Sequence, residues 1–196
     1  MTRIGWIVLA AILLVAGVFA SMVGFGGSAP PASTPLAPAR LLAAKQEVWT
    51  DGGRPQLAIP VAGIDGRGIT DSWGDARSGG RGHKGIDIMA AAGAPVVAAA
   101  SGRVEKLFES RLGGTTLYQR SPDGRWTFYY AHLQRYAPGV REGMAVKAGD
   151  LIGFVGDTGT GSGGNPHLHF SVARLRPEQR WWEGEDVNPY PLLRGR

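Results

Sequence analysis

Pro166-His167-Leu168-His169-Phe170-Ser171-Val172 is the stretch on which the reading of this chain turns. When such a run is extended, residues two apart share a face, so His167 and His169 project into one pocket while Leu168, Phe170 and Val172 pack the opposite side. A strand of this kind needs a core beneath it and a site above it. Short β-type runs separated by Gly, Pro and Asp recur upstream: Pro95 to Ala100, Gly102 to Leu107, Thr115 to Gln119, Trp126 to Ala131 and Leu151 to Val155. Helical periodicity over three turns is nowhere evident, so residues 50–196 are expected to form one antiparallel all-β domain with a single core.

The chain has four histidines and no cysteine. Besides His167 and His169, they fall in His83-Lys84-Gly85-Ile86-Asp87 and Tyr130-Ala131-His132. His83 and Asp87 are an even number apart. Gly82, Gly85, Ile86 and Ile88 favour an extended backbone there, because glycine penalises helix and β-branched residues favour strands. Both clusters can then aim into one groove. A catalytic zinc ion takes three protein ligands, commonly imidazole and carboxylate, and leaves a fourth position for water. Two neutral histidines and one aspartate leave the centre positive, which acidifies water and polarises a carbonyl. The two remaining imidazoles are the natural general acid/base pair, since histidine titrates near neutral pH. A histidine taken alone is more often a packed or surface residue than a ligand, and only the joint pattern with Asp87 argues for a site. From spacing alone His167 and His169 are equally good ligands.

His-x-x-x-Asp followed by Tyr-Ala-His-Leu and then His-x-His resembles the lysostaphin-like or LytM-domain zinc endopeptidases. The likeness runs in order through Thr70 to Arg77, His83 to Met89, Gly93 to Gly102, Tyr130 to Leu133, Val146 to Asp150 and Gly164 to Phe170. It covers most of the chain from about residue 58 onward. Carried over by motif, the resemblance implies that His83, Asp87 and His169 bind one Zn²⁺ per chain and that His132 and His167 are the catalytic pair. It also implies a β-sandwich with a zinc-containing groove, a peptidoglycan substrate and hydrolysis of stem peptides or cross-links. Relatives that cut glycine bridges carry a tyrosine shortly before the first histidine; this chain has Arg77 instead, as the Gram-negative branch does. Some relatives have lost metal ligands and activate other cell-wall enzymes; the alternatives for this chain are a regulator of a cell-wall amidase and a module that binds peptidoglycan without cutting it. No ligand position is missing here, which favours the enzyme.

Other residues have two readings each. Arg77 is a salt-bridged arginine or an oxyanion stabiliser. Tyr130 alternates with His132 and shares its side if that segment is a regular strand, with aromatic packing as its role. Trp181-Trp182, in the insert Arg176 to Asp186, is a loop packed on the domain or a sugar-stacking platform at the groove mouth. Asp157 to Gly164 is glycine-rich but lacks the Gly-Lys-Ser/Thr ending of a phosphate loop. It is expected to form one wall of the groove.

From Ile4 to Phe25 no residue is charged, a run long enough for a bilayer-crossing helix of about 20 residues. Arg3 before it places the N-terminus in the cytoplasm and the domain outside. The expected organisation is a transmembrane signal-anchor at 1–25, with a cleaved signal peptide as the competitor. A flexible Pro/Ala-rich linker and lead-in at 26–49 follows, then the metallopeptidase domain at 50–196. That topology gives a single-pass inner-membrane protein with its domain in the periplasm. The net charge of +5 suits an anionic polymer, and export argues against nucleic acid.

Overall fold

The computed structural model describes residues 55–194. The apolar segment 4–25 and the linker and lead-in 26–49 lie outside the described residues. Among the described residues no helix is long and apolar enough to cross a membrane.

The described chain is antiparallel β throughout, apart from a 3₁₀ turn at Ser78–Gly80 and a terminal helix, α1 (Tyr190–Arg194). In order the strands are β1 (Ala76–Arg77), β2 (Arg81–Gly82), β3 (Ile86–Met89), β4 (Pro95–Val97), β5 (Gly102–Ser110), β6 (Gly114–Arg120), β7 (Trp126–Tyr136), β8 (Ala145–Val146), β9 (Leu151–Val155), β10 (His167–Arg174) and β11 (Glu185–Val187). Strands β1 and β2 form a separate ribbon, and the other nine join in one sheet. The six runs expected from sequence all appear, β4 shorter than its run, β9 equal to it, and β5, β6, β7 and β10 longer. The two-residue strands and β11 carry too few residues for a period to show. His83 itself precedes β3, so the expected extended segment begins only at Ile86.

Hydrogen bonding joins the two branches of this sheet continuously. The joint is β7. Its first half pairs with β10 through Trp126 to Ala131, and its last residues, Leu133 to Tyr136, pair with β9, which carries β4. Between them stands His132, with φ at 59°, the one non-glycine in the left-handed region among the described residues. That conformation costs roughly 1 kcal/mol for an ordinary side chain. It also breaks the alternation of the strand. Tyr130 and His132 therefore do not share a side: Tyr130 turns into the core, where its hydroxyl donates to Gln119 Oε1 at 2.7 Å and accepts from the Ala99 N–H at 2.9 Å.

Both branches of the sheet line one core. Ile86, Ile88, Leu117, Phe128, Leu133, Val155, Leu168 and Phe170 are fully buried in it. Each such side chain contributes about 1.5–3 kcal/mol relative to exposure. On β10, Leu168, Phe170 and Val172 face this core, while His169, Ser171 and Ala173 are only half-buried on the outer face, as the alternation of the opening stretch requires.

Candidate metal and acid/base site

Strand register places the first pair of site residues. β3 and β10 are antiparallel neighbours in which Asp87 stands directly opposite His169, so their side chains emerge together on the outer face. The close approach depends on Gly85. A Cβ there would come within 2.6 Å of the Phe170 carbonyl oxygen and 2.8 Å of His169 Cε1, distances no side chain tolerates. His83 enters from the loop before β3, tied on both sides by backbone hydrogen bonds: its N–H donates to the Asp75 carbonyl, and its own carbonyl accepts from the Gly74 N–H.

Three atoms converge. His83 Nε2 lies 2.9 Å from His169 Nδ1 and 3.2 Å from Asp87 Oδ1, and His169 Nδ1 lies 3.1 Å from Asp87 Oδ1. Protons cannot satisfy this triangle fully. His83 Nδ1 sits 2.7 Å from the Ser72 carbonyl oxygen; a carbonyl only accepts, so Nδ1 carries the proton and Nε2 presents a lone pair. A proton on His169 Nδ1 serves at most one or two of the remaining contacts, whereas a cation at the centre accepts from all three atoms. The donor set, two imidazoles and a carboxylate, is one that zinc takes readily. His83, Asp87 and His169 thus can hold a metal ion.

The carboxylate is oriented from behind. Arg77 Nη2 donates to Asp87 Oδ2, which leaves Oδ1 for the triangle, and the Asp87 N–H donates to Ser72 Oγ at 3.1 Å. Arg77 Nη2 also lies 2.8 Å from His83 Nδ1, but with that proton placed both atoms are donors, so the guanidinium bonds to Asp87. Of the two roles considered for Arg77, the structure places it in the salt bridge. Burial alone would raise the Asp87 carboxyl; its contacts with His169, His83 and Arg77 outweigh it and hold the group well below the usual carboxylate range. Burial lowers His169 from its ordinary value, against the opposing pull of Asp87.

The other two imidazoles stand side by side, with ring centroids 4.8 Å apart. Their placement comes from irregular backbone. The left-handed kink aims the His132 ring at the glycine-rich loop, where Nδ1 lies 2.8 Å from the Thr158 carbonyl oxygen. Gly161 makes room, since a Cβ there would meet His132 Cε1 at 3.0 Å and the Leu112 carbonyl oxygen at 2.8 Å. The loop is pinned by Thr158, whose Oγ1 donates to the Leu133 carbonyl at 2.8 Å and accepts from the Thr115 N–H at 3.0 Å. This is the wall expected of Asp157 to Gly164, and it holds a ring as well as bounding a groove. His167 Nδ1 donates to the Asn165 carbonyl at 2.7 Å. By the same proton argument both rings present an unprotonated Nε2. Burial pushes His132 down to about 4, the Thr158 carbonyl opposing the shift. His167 Nε2 is 3.6 Å from Asp87 Oδ1, so the pair borders the triangle.

All five residues singled out in the sequence therefore meet in one place. Ser72, Thr158 and Asn165 were not singled out: each acts on a histidine through its carbonyl, which every residue type carries, so composition holds no trace of the role. Tyr129 was missed for another reason. It lies on the face opposite Tyr130, with its ring 5.9 Å from that of His169.

The chain is 37% identical over 130 residues to an L-Ala-D-Glu endopeptidase of Bacillus subtilis, a match covering 63% of this chain and 38% of that protein. It is 41% identical over 88 residues to the peptidoglycan DD-endopeptidase ShyC of Vibrio cholerae, covering 45% of this chain and 19% of that protein. The chain thus spans well under two thirds of the length of these relatives. Among solved structures, the catalytic domain of the antimicrobial peptidase lysostaphin from Staphylococcus simulans superposes with a TM-score of 0.54 at 32% identity, covering 63% of this chain and 90% of that one. Residues 81–189, which carry all five site residues, match the model of Peptidase family M23, and the chain belongs to that family.

Proposed function

We propose that this protein is a zinc-dependent endopeptidase that hydrolyses peptide bonds in peptidoglycan stem peptides or cross-links. The observation that carries the reading is the convergence of His83 Nε2, Asp87 Oδ1 and His169 Nδ1 beside two further imidazoles with free Nε2 atoms. Its family membership and relatives named as endopeptidases support the same conclusion.

His83, Asp87 and His169 would hold the zinc. When bound, the ion supplies Lewis acidity, lowering the pKa of water and polarising the scissile carbonyl. The chain's own residues do the rest. Arg77 holds Asp87 in its orientation, and the Ser72 carbonyl fixes the tautomer of His83, the outer contacts that tune a metal site. His132 and His167 move the protons. One Nε2 removes a proton from the attacking water, and an imidazolium returns one to the departing amine. Burial keeps the His132 ring neutral down to about pH 4, so its Nε2 is open to a proton. The run from Ile4 to Phe25 supports an inner-membrane anchor with the domain in the periplasm, where this substrate lies.

The test is digestion of diaminopimelate-type peptidoglycan by the zinc-loaded and the chelated protein, with released muropeptides identified by mass spectrometry. Zinc-dependent loss of cross-linked dimers is expected. Intact cross-links and stem peptides in the presence of bound zinc would overturn the proposal.

A further inference from the structure

From the edge of the site an unbroken row of aromatic rings crosses the outer face of the sheet. Tyr129 stands 5.9 Å from His169, Tyr118 is 4.4 Å from Tyr129, Trp181 is 4.3 Å from Tyr118, and Trp182 is 4.6 Å from Trp181. Phe108 flanks Trp181 at 5.9 Å. Register explains the row. Ser171, Tyr129, Tyr118 and Lys106 are directly opposed across β10, β7, β6 and β5, so their side chains rise on one face, the face of His169 and not that of the core.

Trp181 and Trp182 come from the segment joining β10 to β11. That segment passes the ends of β7 and β6, where the Leu175 N–H donates to the Arg125 carbonyl at 2.7 Å and Arg120 Nη2 donates to the Gln179 carbonyl at 3.4 Å. Gln179 Nε2 then donates to the Glu183 carbonyl at 2.9 Å, and Glu183 Oε2 accepts from the Arg180 N–H at 2.8 Å. These bonds hold both indoles in place. Trp181 packs on the sheet, as a loop packed on the domain would have it. Trp182 is 52% exposed and Phe108 42%, so folding leaves a large aromatic surface in water, which usually marks a binding site.

We propose that this row is a docking surface for the glycan strand of peptidoglycan, guiding the polymer so that its peptide enters the site. The proposal rests on the peptidoglycan reading above. Continuity with His169 means that a polymer cut there also meets the row. A sheet face suits ring-shaped ligands better than a peptide: extended peptides gain affinity by hydrogen bonding to a free strand edge, and β6 and β7 are paired on both edges along this stretch. Pyranose rings present C–H faces that stack on aromatic rings, and their polar rims meet cations here. Arg180 lies 5.2 Å from the Trp182 ring centre, Lys106 ends the cross-strand row, paired with Glu142 at 2.8 Å, and Lys84 pairs with Asp186 at 2.8 Å. Such groups complement the ring hydroxyls and N-acetyl amides of the glycan.

The test has two arms. In the first, glycan strands stripped of peptide by an amidase are titrated by calorimetry into the metal-free full-length chain and its Trp182→Ala and Trp182→Phe variants. Saturable binding is expected, weakened about tenfold in Trp182→Ala and largely retained in Trp182→Phe. An absence of binding by the unaltered chain, or equal binding by Trp182→Ala, overturns the proposal. In the second arm, the zinc-loaded proteins are assayed on intact peptidoglycan and on soluble cross-linked peptides free of sugar. Trp182→Ala is expected to lose about tenfold on the polymer and less than twofold on the peptides. Equal loss on both, or none on the polymer, sinks it. If the unaltered chain cuts neither substrate, the endopeptidase reading fails, and the binding arm still judges the surface.

Discussion

The two halves of the site are built by opposite means. Asp87 and His169 sit opposite one another in a regular antiparallel pair, with His83 tied in just before β3, so sheet geometry sets their distances. His132 and His167 depend on departures from regularity. One occupies a left-handed kink where β7 changes partner, and the other opens β10 at an isolated bridge to Gly156; each ring leans on a loop carbonyl. Groups that must hold a cation gain from rigid strands. Groups that must take and release a proton are placed one at a time, each with its tautomer set by one backbone acceptor.

This difference predicts separable losses. Removing Asp87 or His83 should abolish both zinc binding and turnover, a fall of at least about a thousandfold, because two remaining ligands do not make a site. His167→Ala should instead retain its zinc while turnover falls about 10²–10⁴-fold, the range for a lost proton carrier. Metal content by mass spectrometry beside peptide release checks both; equal zinc loss in the two classes would erase the distinction.

Legibility in the sequence follows the same divide. The regular half could be read there. Alternation in His167 to Val172 set strand, face and core together, and Gly85 between His83 and Asp87 favoured the extended backbone that brings β3 against β10. The irregular half could not. Nothing in Tyr130-Ala131-His132 announces a left-handed residue, since non-glycine residues seldom occupy that region, even though histidine does so more often than most; the packing role expected of Tyr130 holds, while the shared side that regular alternation would give it with His132 does not. Carbonyl acceptors at Ser72, Thr158 and Asn165 leave no mark on composition. The branching of the sheet was equally hidden, because it rests on the change of partner along β7 at His132.

Smaller effects sharpen the comparison. Gly85→Ala should push β3 from β10 and destabilise the fold by about 1–3 kcal/mol, read as a lowered denaturant midpoint, with weakened zinc binding. Arg77→Ala should weaken zinc binding about 10–100-fold, the usual size for a residue that orients a ligand, while the fold stays intact; titration against a competing chelator measures it. Unchanged affinity would reduce the Arg77–Asp87 pair to a surface salt bridge.

A last expected effect is on pH dependence. His132 has a native pKa of about 4, below its ordinary 6.5, so the folded state prefers the neutral ring. Its contribution to stability is complete above pH 6.5 and is lost as pH falls from there through 4. Asp87, also depressed, acts in the same direction at lower pH. The thermal midpoint of the metal-free protein should therefore drop on acidification, and His132→Asn, which tolerates the left-handed backbone, should flatten the drop between pH 6.5 and 4. An unchanged slope would remove the burial argument for a neutral His132.

The division of labour is tested most directly by measuring bound zinc and peptidoglycan turnover side by side in the unaltered protein, His169→Ala and His132→Asn. The account predicts one zinc per chain and activity in the first, neither in the second, and one zinc with turnover reduced at least a hundredfold in the third. A His169→Ala protein that keeps its zinc, or a His132→Asn protein with undiminished turnover, would contradict it.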